Sequence, residues 1–359
     1  MDMRTHKRAR LKLAPYACPN DSLAYLILGV DLVIYLAAVF FAVTSESIAA
    51  KLLFSSLAGF MIAQLFVIGH DAAHQAFVSS AKANVVIARL TFMPSLHNYT
   101  LWLFAHNRLH HAYPNVQNYN SWSPLSLDEY QAMSRPKQLV QKIYRSSIGF
   151  GPYYIFERWL KDKFIPRRHL PAASHKGGWR DFTLLALYSL FFVGALVGVA
   201  MYSNQSALLA VLFGAVIPFV IWNYAMGMTI YQHHTHPAIK WYKTLVKWRE
   251  SVSNQGEVTV HVKYPTWYNF ITHNIYIHPV HHVNSKVPLY YLPQAQKTLV
   301  SDFSGSIITV PFSLKGFIET VNSCKLYDYE QHQWLDFKGV PTTSSLLERE
   351  KVRGLSIVS

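Results

Sequence analysis

The amino-acid sequence predicts an all-α integral membrane protein, in which four transmembrane helices form two hairpins beneath a helical cytosolic cap. The composition is the first indication: 51% of the 359 residues are hydrophobic and only 14% are charged, whereas a soluble domain carries about 25% charged residues. The second is the presence of four apolar stretches of about 20 residues, the length that a helix needs to cross a bilayer. The third is the distribution of lysine and arginine, which are absent from the two shortest connecting loops.

The apolar stretches pair into hairpins because the connection within each pair is very short. Residues Thr44–Ser47 join the first two stretches, and Ser203–Gln205 join the last two. The first stretch is a full span without a small-residue cleavage site after it, so we interpret it as a membrane helix and not as a signal peptide. The predicted spans are Ser22–Val43, Ile48–Gly69, Thr183–Tyr202 and Ser206–Tyr231.

The basic residues predict the orientation in the membrane. The net charge is +14, and the lysines and arginines are concentrated in the N-terminal tail, the long middle segment and the C-terminal segment. By the positive-inside rule these three parts face the cytosol. In a membrane protein, basic loops facing anionic lipid explain such a charge better than nucleic acid does. We therefore predict a single domain, 1–359, that consists of a cytosolic tail (1–21), a first hairpin (22–69), a cytosolic segment (70–182), a second hairpin (183–231) and a final cytosolic segment (232–359).

Two further apolar stretches are interrupted by polar residues or proline. Val85–Ala105 contains an arginine, a proline and a histidine, and Val300–Val321 contains Asp302, a proline and a lysine. We expect both to be interfacial or re-entrant, because charged groups are costly in a bilayer. The two cysteines, Cys18 and Cys324, predict neither a disulfide framework nor a CxxC metal site.

Histidines occur in short motifs beside the predicted spans. In the first motif His70 and His74 are four residues apart, and on a helix such residues share one face, so both can address one metal ion. In the second motif His106 and His110 have the same spacing, and His111 follows directly. Metal binding keeps crowded imidazoles neutral and satisfies a ring nitrogen of each. Either motif alone is also compatible with polar residues at a helix end.

A third motif contains His278, His281 and His282, which converge on one helical face. Pro279 fits if His278 begins the helix, because the first turn does not use that N–H group. Other histidines lie after the fourth span and before the third motif, where a satisfied polar group is the more common interpretation: His233, His234, His236, His261 and His273.

Taken together, the motifs predict a metal centre on the cytosolic side. Imidazole ligands suit iron, zinc, copper or nickel, and eight or nine of them exceed the three or four that one zinc site uses. Two metals are therefore expected, and since zinc has no redox chemistry, two redox-capable metals point to iron and oxygen. A metal transporter is disfavoured, because its ligands should lie within the spans near the midplane, and the spans contain almost no histidine.

These motifs resemble the histidine boxes of the membrane fatty acid desaturase family, HxxxH, HxxHH or HxxxHH, and HxxHH. Within that family the chain is most similar to acyl-lipid desaturases of the cyanobacterial Δ12 type and their plant ω-6 relatives. The first box reads HDAAH where many relatives have HDCGH, a difference that leaves the ligands unchanged. The similar stretches are His70–Phe77, Trp102–Asn115, Tyr231–Pro237 and Thr259–Leu292.

The resemblance implies a ligand set for two iron ions. His234 best matches the family histidine after the fourth span, although His233 and His236 flank it, and His273 is a tenth candidate. Asp71 is expected to orient a ligand imidazole from outside the metal sphere. The eight box ligands implied are His70, His74, His106, His110, His111, His278, His281 and His282.

The resemblance also implies O2-dependent insertion of a double bond into an acyl chain, which is held in an apolar tunnel. The heme-binding HPGG pattern is absent, so electrons are expected from a separate ferredoxin or cytochrome b5. The boxes leave open a hydroxylase, acetylenase, conjugase, or carotenoid or sphingolipid oxygenase, and they leave open whether the substrate is a membrane lipid or an acyl thioester. For each candidate tunnel residue, ordinary helix packing or interfacial anchoring is the more common interpretation; the candidates are Trp102, Phe104, Trp222, Tyr224 and Met228.

Overall fold

The computed structural model describes residues 3–168, 170–251, 258–303 and 307–348. Its body is helical, as the sequence predicts, and short π-helical segments interrupt several of the helices. In chain order the α-helices are α1 (Met3–Lys12), α2 (Asp21–Thr44), α3 (Ile48–Ala73), α4 (Ala81–Phe92), α5 (Tyr99–Leu103), α6 (Leu127–Gln131), α7 (Arg135–Tyr144), α8 (Phe150–Tyr153), α9 (Ala172–Tyr202), α10 (Ala207–Val211), α11 (Ile217–His234), α12 (Leu245–Ser251), α13 (Thr266–Ile271), α14 (His278–Val283), α15 (Leu292–Phe303) and α16 (Leu314–Ser323).

The four predicted spans are confirmed as helices long and apolar enough to cross a membrane. They are Asp21–Thr44, Ile48–Ala73, Ala172–Tyr202 and Ala207–His234. The third begins well before the predicted residue, since the polar segment ahead of the apolar run continues the same helix. The fourth consists of α10, a π-helical segment at Leu212–Val216, and α11.

Helix α3 occupies the centre of the bundle, because it packs against α2, α4 and α11. Its close approach to α11 requires glycine at position 59: an added Cβ would lie 2.8 Å from Cβ of Ile221 and 2.9 Å from the carbonyl oxygen of Pro218. By contrast, α2 and α9 present apolar side chains outward, as expected of lipid-facing helices; Leu190 and Phe191 of α9 are 73% and 77% exposed.

The segment predicted to be interfacial between residues 85 and 105 does not form a continuous span. Helix α4 ends at Phe92, and the short helix α5 begins at Tyr99, capped by the side chain of Asn98. Arg89 forms an ion pair of 3.0 Å with Asp181, near the start of the apolar part of α9. The polar residues that interrupt this stretch are therefore used in packing at the end of the bundle.

In the part of the chain that the structure describes, two small sheets were not predicted from the sequence, and their strands lie outside the four spans. Strand β1 pairs in parallel with β2, and β3 pairs with β4 in antiparallel fashion. Each strand is only three or four residues long, so its alternating pattern is too brief to be recognised beside the helical motifs. The strands are β1 (Val260–Lys263), β2 (Ile308–Pro311), β3 (Leu326–Asp328) and β4 (Gln333–Leu335).

Candidate metal centre

The first histidine motif lies where the central helix ends. His70 occupies the last turn of α3 and His74 is its C-terminal cap. Gly69 brings this end against α4, since an added Cβ would lie 2.5 Å from Oγ1 of Thr91. Both imidazoles are buried, and their ring centroids are 4.8 Å apart. The spacing of four residues therefore brings this pair together, as the sequence predicts.

The second motif is π-helical and not α-helical, which changes which residues meet. In the segment Phe104–His110, and at the residue after it, the hydrogen bonds span five residues: the amide of His111 donates to the carbonyl of His106 at 2.9 Å. The Nε2 atoms of these two residues are 3.1 Å apart. The rings of His106 and His110, which we expected on one face, are adjacent with centroids 5.1 Å apart. The π-turn nevertheless pairs His106 with His111, and His110 belongs to a different cluster of candidate ligands. π-Segments of this kind often occur at functional sites.

The third motif forms the short helix α14, which begins at His278 as Pro279 requires. Nε2 of His278 lies 3.1 Å from Nε2 of His282 and 3.2 Å from Nε2 of His234, at the end of α11. His281 points elsewhere, with its Nε2 2.9 Å from Nε2 of His111. The rings of all three motif residues lie within 5.9 Å of one another, as expected for one helical face, but their Nε2 atoms are directed to different partners.

Eight of these histidines form two groups, in each of which the candidate ligand atoms all lie within 4.8 Å of one another. Each group takes residues from three separate segments of the chain. His111 lies between the groups: its Nε2 faces those of His106 and His281, and its ring centroid is 4.7 Å from that of His282. The first histidine group is His70, His74, His106 and His281, and the second histidine group is His110, His234, His278 and His282.

Hydrogen bonds at Nδ1 leave Nε2 of several ligands free for a metal. A carboxylate oxygen only accepts, so Nδ1 of His70, 3.1 Å from Oδ1 of Asp71, carries the proton. His110 donates to Oδ1 of Asn120 at 2.5 Å, and His234 donates to the carbonyl of Val258 at 3.1 Å. Such partners fix the tautomer and orientation of ligating imidazoles.

The orientation of Asn120 is itself determined by its surroundings. Its Nδ2 donates to the carbonyl oxygens of Tyr113 at 2.9 Å and Val116 at 3.0 Å. The side-chain oxygen therefore faces His110. His70 in the first group thus has an anionic partner in Asp71, whereas the partners of His110 and His234 in the second group are neutral.

Burial keeps these imidazoles neutral. It lowers the pKa of His110 to about 4. Burial, reinforced by neighbouring histidines, lowers the pKa of His106 and His281 well below the usual value. The pKa values of His111, His278 and His282 are lowered by the same causes. Neutral imidazole is the form that binds a metal.

The distances fit metal ions. Two nitrogen atoms at right angles around one ion, each about 2.1 Å from it, are about 3 Å apart, which matches the Nε2 separations in both groups. Nitrogen lone pairs that face each other at this distance repel unless a cation lies between them. Nε2 of His74 is buried and has no hydrogen-bond partner in the part of the chain that the structure describes. The donor set therefore suits two adjacent metal ions.

A pocket opens beside the two groups, and its empty volume is about 680 Å³ including the space at its mouth. Its apolar wall includes Phe66, Trp102, Met226, Ile230 and Ile275, and six histidines also line it. Ligand pockets usually measure about 300–1,000 Å³ with mainly apolar walls. The pocket therefore accommodates an apolar ligand next to the histidines.

Of the five residues predicted to line a tunnel, only Trp102 lines this pocket, and it stacks on His106 with ring centroids 4.2 Å apart. Trp222 is fully buried against Phe66. The hydroxyl of Tyr224 donates to the carbonyl of Ser147. Phe104 does not contact the pocket, and Met228 packs against a separate cluster that includes Trp122, Phe150 and Tyr231.

Two further histidines have positions that the sequence did not reveal. His273 lies in neither group, and its Nε2 is 2.5 Å from Oδ2 of Asp31 in the first span. His233 is buried, and its ring stacks on that of His278 at a centroid distance of 3.9 Å. Nε2 of His233 has no hydrogen-bond partner among the described residues, and the ring lines the pocket. In the sequence, only the position of His233 next to His234 indicated that His233 lies near the metal centre.

The protein is a bundle of four apolar helices with two groups of neutral imidazoles at one end. These features define a class of membrane protein that can hold two metal ions beside an apolar pocket. The chain belongs to the fatty acid desaturase family, since the sequence model of that family matches residues 46–309.

Curated relatives extend this finding. A chloroplastic omega-6 fatty acid desaturase of Glycine max is 26% identical over 277 residues, which are 76% of this chain and 62% of that protein. An sn-1 oleoyl-lipid 12-desaturase of Picosynechococcus is 25% identical over 283 residues, 78% of either chain. A chloroplastic omega-3 fatty acid desaturase of Ricinus communis is 28% identical over 77% of this chain and 59% of its own length. The chain thus spans less than two thirds of the two chloroplastic relatives.

Proposed function

We propose that this protein is an O2-dependent fatty acyl desaturase with a di-iron centre, which introduces a cis double bond of the Δ12/ω-6 type into an acyl chain of a membrane lipid. The observation that carries the proposal is the pairing of two histidine groups beside a pocket with apolar walls. Family membership supports the reaction class, and the names of the omega-6 and oleoyl-lipid 12-desaturase relatives support the position of the double bond and the lipid substrate.

The reaction consumes O2, two electrons and two protons, removes two hydrogen atoms from adjacent carbons, and releases two molecules of water. Unactivated C–H bonds are too strong for side-chain chemistry, so the oxidising power is what two bound iron ions would supply. One ion would be held by the first histidine group together with His111, and the other by the second histidine group.

The protein's own contribution is to position the substrate and to exclude water. Met226 and Ile230 of α11 and Ile275 ahead of α14 form an apolar wall opposite the buried imidazoles. An extended acyl chain in this pocket would be held with one pair of carbons beside the metal centre. Such fixed placement supplies much of the rate in reactions of this type, and a dry pocket prevents loss of the oxidant to side reactions.

The electron donor is proposed to be a separate ferredoxin or cytochrome b5-type protein. We also propose that both termini and the metal centre lie on the cytosolic side, because 32 of the 33 basic residues lie outside the hairpins. An acidic carrier would be attracted to such a face by electrostatic steering. Reduction should then slow as ionic strength rises, whereas an unchanged rate would argue against this docking.

The decisive experiment is expression in a host that lacks polyunsaturated lipids, followed by fatty acid analysis of its membranes and iron analysis of the purified protein. A new diene in the glycerolipid fraction is the expected result, and the His278→Ala variant should give none. A hydroxylated product would replace the desaturase by a hydroxylase on the same scaffold. Absence of any product together with absence of iron would overturn both the reaction and the metal centre.

A further inference from the structure

An aspartate within the first membrane span requires an explanation. Asp31 lies in α2, only 5% exposed, and intramembrane carboxylates are rare unless they are paired and functional. Its partner is His273, with 2.5 Å between Oδ2 and Nε2. His273 belongs to the segment that precedes the third histidine motif, so this contact joins a lipid-facing helix to the cap.

The backbone at this contact adopts an unusual conformation. His273 has φ +49° and the next residue, Asn274, has φ +58°. Two successive left-handed residues other than glycine are unfavourable, and such strain persists only where surrounding contacts hold it. The Asp31 contact holds the first of these residues, and the amide of Asn274 donates to the carbonyl of Asn269 at 2.7 Å.

From this turn, hydrogen bonds lead to a metal-binding imidazole. Nδ2 of Asn274 donates to the carbonyl of Leu289 at 3.0 Å. The amide of the same Leu289 donates to Oδ2 of Asp71 at 2.5 Å. The other oxygen of Asp71 accepts from Nδ1 of His70, in the first histidine group.

We propose that Asp31, His273 and Asn274 are positioning residues for the first histidine group, which they hold through Leu289 and Asp71. This inference rests on the proposed di-iron centre. The function of His273 is then to fix the turn, in contrast to the ligand role that its sequence position suggested. Asn120 and the carbonyl of Val258, which are the partners of His110 and His234 in the second histidine group, are not part of this chain of contacts.

The test compares the Mössbauer spectra of the purified, iron-loaded full chain and its variants. Asp71→Asn acts directly on His70, so the quadrupole doublet that it changes identifies the iron of the first group. Asn120→Ala acts on His110 and identifies the other doublet. Asp31→Asn and Asn274→Ala should each change the same doublet as Asp71→Asn, by a smaller amount, and leave the other doublet as in the wild type.

Iron release to a chelator provides a second measurement. Loss of a partner that orients a ligand costs about 10- to 100-fold in metal affinity, so the more distant Asp31→Asn and Asn274→Ala variants should speed release from one site by about threefold to tenfold. Asn274 lies outside the spans, and its replacement by alanine leaves the Asp31 contact in place. The Asn274→Ala variant therefore still tests the inference if Asp31→Asn does not fold. Glu46→Gln, at an exposed position in the connection between the first two spans, is the matched control and should match the wild type.

Unchanged doublets and release rates in both variants, with two irons bound, would overturn the inference and leave the proposed function intact. Changes of the second doublet alone would also overturn it, because they would show that the turn acts directly on His278. A wild-type protein that binds no iron under these conditions would instead contradict the proposed function.

Discussion

The two histidine groups are built from the same ligand type but differ in what surrounds them. In the first group His70 donates to a carboxylate, Asp71. In the second group His110 and His234 donate to neutral partners, Asn120 and the carbonyl of Val258. An anion beside a ligand raises its basicity and strengthens its bond to the metal. The comparison indicates that two adjacent ions in this protein would have unequal affinities and potentials.

Removing one ligand from each group should produce the largest effect. His281→Ala in the first group and His110→Ala in the second are each expected to lower desaturase activity at least about a hundredfold, because both ions are needed and a lost ligand costs more than a lost orienting partner. Elemental analysis should show about one iron lost per chain in each variant. His332→Ala, on the loop between β3 and β4, serves as the control. Full activity in either ligand variant would break the comparison.

Replacing the outer partners should have an intermediate effect. Asp71→Asn removes the anion from the first group and should weaken one iron site about 10- to 100-fold. Asn120→Ala removes a neutral partner from His110 and should weaken the other site by a smaller factor, because no charge is lost. Chelator competition, followed as two separate release phases, measures both. If Asp71→Asn lowered the iron affinity of both sites equally, the two groups would not be independent.

Removing the stacked rings should have the smallest effect. Trp102 stacks on His106 of the first group, and His233 stacks on His278 of the second. Aromatic stacking contributes about 0.5–1.5 kcal/mol, so Trp102→Leu and His233→Leu should each speed iron release from one group by about two- to tenfold. Release from the other group is expected to be unchanged. If both variants accelerate the same phase, the assignment of these rings to separate groups is incorrect.

The spans and the histidine motifs were accessible from the sequence because each depends on a local pattern. Length and apolarity determine the spans, and the spacing of His70 and His74 is a property of one helix. The division of the ligands between two groups was not accessible, since it depends on the π-turn that pairs His106 with His111. A single additional residue per turn rotates His110 toward the second group, and nothing in the motif itself distinguishes the two helical forms.

Contacts between distant segments could also not be predicted from the sequence. Asn120 has no pattern that connects it with His110, and the pairing of His273 with Asp31 joins residues separated by most of the chain. The tunnel prediction selected Met228, whereas Met226 lines the pocket. Two positions along an α-helix correspond to a rotation of about 200°, so an error of two residues places a side chain on the opposite face.

The location of both groups at the C-terminal ends of α3 and α11 has a consequence for the charge balance. Two divalent ions bring four positive charges, neutral imidazoles offset none of them, and Asp71 offsets one. The carbonyl end of each helix adds about half a negative charge, which leaves a positive excess of about two charges. A positive excess in a buried site favours the reduced form of a bound metal, and the carbonyl ends of the two helices, by lowering that excess, would make the centre easier to oxidise.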